Sequence, residues 1–286
     1  MDYKKIGNFI FEGCENLQKV TIACDLSEDV SLTEKQYSTS SDANLYFKEI
    51  FDKEKAVEVL DPDNEHYDYS EYGDDDEYHY YCAPKKNADV VFEDTVKTVC
   101  GKIFSGNFKK LDLGSVTTID GVVFEAEEIV FPENEVTLGG DQIEADRIYL
   151  NGAITPNSGI DFYVKQLYIN AGSTYEDDLY KIRFHSIIDS FYHDENGDYH
   201  YVRCPTEFYV ADNVTSFPPC FNFEDVVFDV FSVPESFNFT YACYKNCEFN
   251  LEMKMYGEFN WGVFRECTFN KPVTIGHLTG EDFFID

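Results

Sequence analysis

Hydrophobic positions recur along the chain in a short pattern: one apolar residue, two arbitrary ones, then two apolar residues flanking a single position. It reads Leu17-x-x-Val20-x-Ile22, Phe108-x-x-Leu111-x-Leu113, Ala126-x-x-Ile129-x-Phe131, Ala145-x-x-Ile148-x-Leu150 and Val164-x-x-Leu167-x-Ile169. It returns as Phe223-x-x-Val226-x-Phe228 and, without its first residue, as Met253-x-Met255 and Val273-x-Ile275. From Leu111 to Ile129, Ile148 and Leu167 the steps are 18, 19 and 19 residues. The apolar-x-apolar segment has strand period, with two side chains on one face. A fixed step of this length marks one supersecondary unit stacked on copies of itself. The expected fold is a single repeat solenoid over 1–286. It should be a leucine-rich-repeat-like stack of short parallel β-strands with turn or short-helix returns, plus a β-hairpin insertion. Val20, Ile22, Leu111, Leu113, Ile129, Phe131, Ile148, Leu150, Leu167, Ile169, Val226, Phe228, Val273 and Ile275 should line its core.

A longer unit surrounds the pattern at the chain ends. Phe259, Phe264, Cys267, Val273 and Ile275 repeat the spacing of Ile6, Phe11, Cys14, Val20 and Ile22, and so do Phe239, Tyr244, Cys247, Met253 and Met255. Phe217, Cys220, Phe223, Val226 and Phe228 continue that register, which sets Cys220 level with Cys247 and Cys267. The unit resembles the BspA-type leucine-rich repeats of bacterial surface proteins, strongly over 1–24 and 212–276 and less so over 100–170. The resemblance implies the solenoid and a non-enzymatic binding role, often that of a surface adhesin. It names no ligand, because a fold never does.

Three places break the period. Val20 to Val57, Val57 to Val90 and Leu167 to Phe208 are steps of 37, 33 and 41 residues. Each has room for two coils, or for one coil and an insertion, and insertions are expected at about 61–84 and 185–203. The first holds the acidic, tyrosine-rich run Asp61 to Tyr81, whose like charges repel and predict an exposed loop. The second sets Asn196-Gly197 between two aromatic runs, Phe191-Tyr192-His193 and Tyr199-His200-Tyr201. That arrangement predicts a protruding β-hairpin.

Composition sharpens the functional question. Apolar residues make up 43% of the chain, and 26 Phe against 3 Met assign to Phe the core role that Leu has in most repeats. Fifty-five acids against 22 bases give a net charge of −33. Phosphate backbones are bound by Lys and Arg, so direct nucleic-acid binding is not expected. Anionic membrane surfaces are disfavoured for the same reason. A protein partner with a basic surface is the complementary expectation. Nine Cys is an odd number, and no CxxC is matched by a second, so no zinc site is expected. All nine should be reduced and largely buried. No apolar stretch approaches the roughly 20 residues that span a bilayer. None follows Met1-Asp2-Tyr3-Lys4-Lys5, so the chain reads as cytoplasmic, or as cell-surface or secreted if a leader has been removed.

The chain has no phosphate-cradling glycine loop, no HExxH and no GxSxG, so no catalytic residue and no cofactor are expected. Asp194-x-Asn196-x-Asp198 imitates the opening of a calcium loop, which would then need Gly at 199 and Glu at 205. The chain has Tyr199 and Pro205 there, so a hairpin turn is the expected structure and no metal is assigned. The candidate partner-binding residues are Tyr67, Tyr69, Asp74, Asp75, Asp76, Glu77 and Tyr78 in the first insertion, with Asp194, Glu195 and Asp198 in the second. Tyr offers rigid contact area, and acids offer complementarity to Lys and Arg. The expected function is therefore a non-enzymatic, acidic protein-binding repeat protein. Its specific form is an inhibitor that docks the nucleic-acid-binding surface of a target by charge mimicry, as phage and mobile-element anti-defence proteins do. The alternatives are a BspA-like adhesin and a carbohydrate-active protein.

Overall fold

A computed structural model describes residues 18–26, 45–47, 88–100, 103–106, 108–171, 182–193, 199–217, 220–235, 237–239, 243–258, 264–279 and 284–285. The chain coils into a β-solenoid whose successive turns pair in parallel, with no helix among the described residues. One ladder follows the sequence pattern from Val20 to Phe208 and then leaves it, its next rung being Phe231 and not Val226 or Phe228. Val20 pairs with Val90, Val90 with Leu111, and Leu111 with Ile129. Ile129 then pairs with Ile148, Leu167, Phe208 and Phe231 in succession. The returns, expected as turns or short helices, are strands as well. A second ladder runs from Ile143 through Phe162, Phe184, Phe223 and Tyr244 to Phe264. A third joins Val99, Ile119, Leu138 and Pro156. Single long strands supply all three faces: Thr118–Val130 contributes 118–120 to the third ladder, 123–124 to the second and 128–130 to the first.

The two arbitrary positions of the repeat are the corner between faces. In Ile160–Ile169 burial alternates strictly up to Val164, slips phase at Lys165 and Gln166, and alternates again from Leu167. Both corner residues face outward, so a period of two survives on each side while the chain bends. The C-terminal coils make the equivalent bend more tightly, with Asp225, Asn246 and Glu266 in the left-handed region at φ 62°, 51° and 54°.

Two registers differ from expectation. Lys19–Ile22 pairs directly with Ala88–Phe92, so no rung at Val57 stands between Val20 and Val90; Val57 itself lies outside the described residues. At the C-terminus Phe223 pairs with Tyr244, and Glu248 donates its amide to the Val226 carbonyl as Thr268 does to that of Cys247. Val226, and not Cys220, therefore shares the level of Cys247 and Cys267. The shift arises because the motif marks corners, and here the corner follows the Phe223 rung directly. Cys247 and Cys267 close this corner with S–H donors 3.3 Å from Phe223 O and 3.4 Å from Tyr244 O.

Phe fills the core as anticipated. Phe162, Phe184, Phe223, Tyr244 and Phe264 lie ring against ring in successive coils, at centroid spacings of 5.2, 5.1, 4.9 and 4.8 Å. Stacking at the coil repeat adds about 0.5–1.5 kcal/mol per pair to the burial term. Of the expected core residues, Val20 to Phe228 are buried and Val273 packs partly buried against them. The Ile275 side chain lies outside the described set. Seven cysteines are described; Cys220, Cys243 and Cys247 are buried, whereas Cys24 is exposed. No helix among the described residues is long and apolar enough to cross a membrane.

Candidate functional site

At one corner the chain leaves the solenoid. Ser186 stands on the rung of Val164, and instead of two corner residues the chain runs out along Ile188–His193 and back along Tyr199–Arg203. These strands pair antiparallel, Phe191 with Tyr201 and His193 with Tyr199, with a bulge between Ile188 and Ser190. The chain rejoins the stack at Thr206. Two buried hydroxyls splice the gap: Ser186 Oγ and Thr206 Oγ1 lie 2.7 Å apart. Thr206 donates to the Val164 carbonyl at 3.1 Å, and Ser186 accepts the Val227 amide at 2.9 Å. Side chains thus supply the donor and acceptor that a continuous corner would take from its backbone.

The hairpin carries the large exposed apolar side chains of the described residues: Ile188, Tyr192, Tyr201 and Val202, at 45%, 54%, 51% and 41% exposure. Strand alternation puts Tyr192 and Val202 on one face and Ile188 and Tyr201 on the other, so both faces are open. Tyr192 stacks on His200 at 5.2 Å. A lone two-stranded hairpin is marginal in water, and here its base is tied down. Arg203 bridges to Asp225 at 3.2 Å, and the Cys204 amide donates to the Ile187 carbonyl.

Beside the base lies a charged staple. Arg183 grips Asp161 with two 2.6 Å bonds, and His185 Nε2 sits 2.9 Å from the same carboxylate. Burial pushes the Asp161 carboxyl up, but the bonds and charges of His185 and Arg183 outweigh it and lower its pKa to about 2. A carboxylate so held, with both oxygens occupied, is a weak proton acceptor and a good strut. Tyr163 stacks on His185 at 4.9 Å, and burial, with the Asp161 charge, raises its pKa.

On the outward side of the first ladder, Tyr149, Tyr168 and Tyr209 stack at 4.6 and 4.9 Å with interplanar angles of 12° and 10°. Their rings turn faces to one another and edges to solvent. Beside them Gln166 donates to Glu207 Oε2 at 2.7 Å and the Tyr209 hydroxyl to the same oxygen at 3.1 Å. Tyr209 stands on Thr206–Val210, the strand that receives the hairpin's return, so ladder and hairpin adjoin.

The sequence-derived residues Tyr67, Tyr69, Asp74, Asp75, Asp76, Glu77 and Tyr78 lie outside the described residues, as do Asp194, Glu195 and Asp198 at the hairpin tip. The strands flanking that tip stand where Asn196-Gly197 predicted them. The tyrosine ladder went unread, although its signal was present: Tyr occupies the middle of Ile148-x-Leu150, Leu167-x-Ile169 and Phe208-x-Val210. Among the described residues no three His, Cys, Asp or Glu side chains converge as metal ligands. Searches of family models, curated proteins and solved structures matched nothing to this chain.

Proposed function

We propose that this chain is a non-catalytic binding protein that docks a basic surface of another protein, with the hairpin over 188–203 as its contact element. The observation that carries the reading is the concentration of exposed Tyr, Ile and Val on a rooted projection, in a chain of net charge −33. Exposed aromatics of this kind are the usual anchors of protein interfaces. Six of the described bases, Lys110, Arg147, Lys165, Arg183, Arg203 and Lys245, are each tied to a carboxylate. The target in its specific form is a nucleic-acid-handling protein whose phosphate-binding groove is occupied by carboxylates. A carbohydrate-binding role draws less support from the tyrosine ladder, because sugars stack on ring faces and these faces are largely taken.

The test is a pull-down from the native host with wild type, with Tyr192→Ser/Tyr201→Ser, and with Asp74, Asp75, Asp76 and Glu77 changed to Ser. The captured protein is then assayed for nucleic-acid binding. The expected result is a basic partner that loses its nucleic acid to wild type but not to the hairpin variant. Its association should slow as salt shortens the screening length to about 8–10 Å and below. Equal recovery of the same partners by all three proteins would remove both insertions from the binding site. Recovery of a glycan or a host-surface protein would favour the adhesin reading.

A further inference from the structure

The tyrosine ladder ends abruptly. Tyr149, Tyr168 and Tyr209 occupy successive rungs, each ring covering the last, and the rung after Tyr209 is Ser232. Ser232 is exposed and too small to cover a ring. Among the described residues no ring covers the outer face of Tyr209, at the place where a fourth ring would continue the stack. Next to it stands Glu207, a carboxylate fixed in place. Gln166 and the Tyr209 hydroxyl both donate to its Oε2, while Oε1 accepts no hydrogen bond among the described residues. An aromatic face that no described ring covers, beside an oriented carboxylate with one free oxygen, matches a planar cation. The cation lies flat on the ring and directs one N–H to the oxygen.

We infer that Tyr209 and Glu207 form a receptor for an arginine side chain of the basic partner, its guanidinium taking the missing rung of the stack above Ser232. The inference rests on the proposed basic partner and adds to it a specific contact and a preference for Arg over Lys. A lysine ammonium satisfies the carboxylate equally well but has no plane to lay against the ring. The site adjoins the hairpin through the Thr206–Val210 strand, so a partner engaged by Tyr192 and Tyr201 has its arginine within reach of the same surface.

Hexa-arginine and hexa-lysine peptides, equal in charge, serve as probes, with affinities measured by calorimetry at fixed ionic strength. Ser232→Tyr fills the vacant rung while keeping Tyr209 and Glu207, and Tyr209→Leu removes the ring. Melting curves identify any variant that fails to fold. Wild type is expected to favour the arginine peptide by about 2- to 5-fold more than Ser232→Tyr does, the factor of one exposed cation–π contact. Affinity for the lysine peptide should be the same in both. Tyr209→Leu should lose the same preference, and the Tyr209 ring resonances of wild type should shift with the arginine peptide alone. An arginine preference unchanged in Ser232→Tyr overturns the inference, as does equal affinity of wild type for both peptides. Failure of wild type to bind either peptide would instead sink the basic-partner reading beneath it.

Discussion

Removing the Ser186 hydroxyl should loosen the corner from which the hairpin springs. Ser186→Ala deletes the 2.7 Å contact with Thr206 and the 2.9 Å bond from the Val227 amide, which is left without its acceptor. A stranded, largely buried donor costs about 1–3 kcal/mol. Thr206→Val nearly preserves shape at a site only 2% exposed, and it deletes the Ser186 contact and the 3.1 Å bond to the Val164 carbonyl. It takes the partner from the buried Ser186 hydroxyl and the Thr206 donor from the Val164 carbonyl, so its expected cost is likewise about 1–3 kcal/mol. Both single variants break the bond that the hydroxyls share, so the double variant should fall short of the summed costs by about 0.5–1.5 kcal/mol. Urea unfolding followed by circular dichroism, on all four proteins at one temperature, gives the three differences. Thr206→Ser, which keeps a hydroxyl on the bonding atom, should recover part of the loss. Additivity to within about 0.3 kcal/mol would show that the hydroxyls do not act as a unit. A Ser186→Ala cost below about 0.5 kcal/mol would refute the splice itself.

Other variants probe the staple, the core and the ladder. Asp161 has its pKa lowered from 3.8 to about 2, so its stabilisation is complete above pH 4 and disappears as pH falls through 2. Asp161→Asn should therefore cost about 1–2 kcal/mol at pH 7, allowing for partial exposure. That gap from wild type should close between pH 4 and pH 2; a gap that stays constant would mean that the carboxylate charge is not what holds Arg183 and His185. Tyr244 is fully buried in the aromatic stack and its hydroxyl has no hydrogen-bond partner among the described residues. Tyr244→Phe should raise stability by about 1 kcal/mol, and a loss of that size would reveal a partner for the hydroxyl. Ile148 is fully buried between Ile129 and Leu167. Ile148→Asp should cost more than about 4 kcal/mol, and a variant that melts like wild type would put the first ladder out of register.

What the sequence could disclose follows from which side chains the core constrains. Inward positions must be apolar in every coil, so Ile129, Ile148 and Leu167 announce themselves by spacing, and the two-residue slip between Val164 and Leu167 announces the corner. Asn196-Gly197 discloses the hairpin because its backbone requirement is local. Cys220 lies off the level that spacing predicts for a related reason. A spacing motif reports where the chain bends, and the C-terminal coils bend directly after Phe223 instead of after the Val164 level. Contacts across coils left weaker traces. Asp161 meets Arg183 and His185 only because 22 and 24 residues close one turn, and Ser186 meets Thr206 only because the hairpin folds away between them. Neither pair has a local signature.

The same constraint bears on the proposed binding surface. A solenoid fixes its inward residues and leaves two kinds of freedom, the outward columns and the corners. A corner can accept an insertion if the hydrogen bonds of the missing turn are replaced, which Ser186 and Thr206 do. An outward column can change at any rung without disturbing the core, which is how a tyrosine stack can stop at Ser232 while the Phe208–Phe231 contact beneath it continues at 5.3 Å. The hairpin and the open end of the stack occur on neighbouring strands of one coil, where the chain leaves its repeat and returns to it. Departures that add exposed aromatic surface cost solubility and contribute nothing to the core, so their coincidence at one place is the physical argument for a binding surface there.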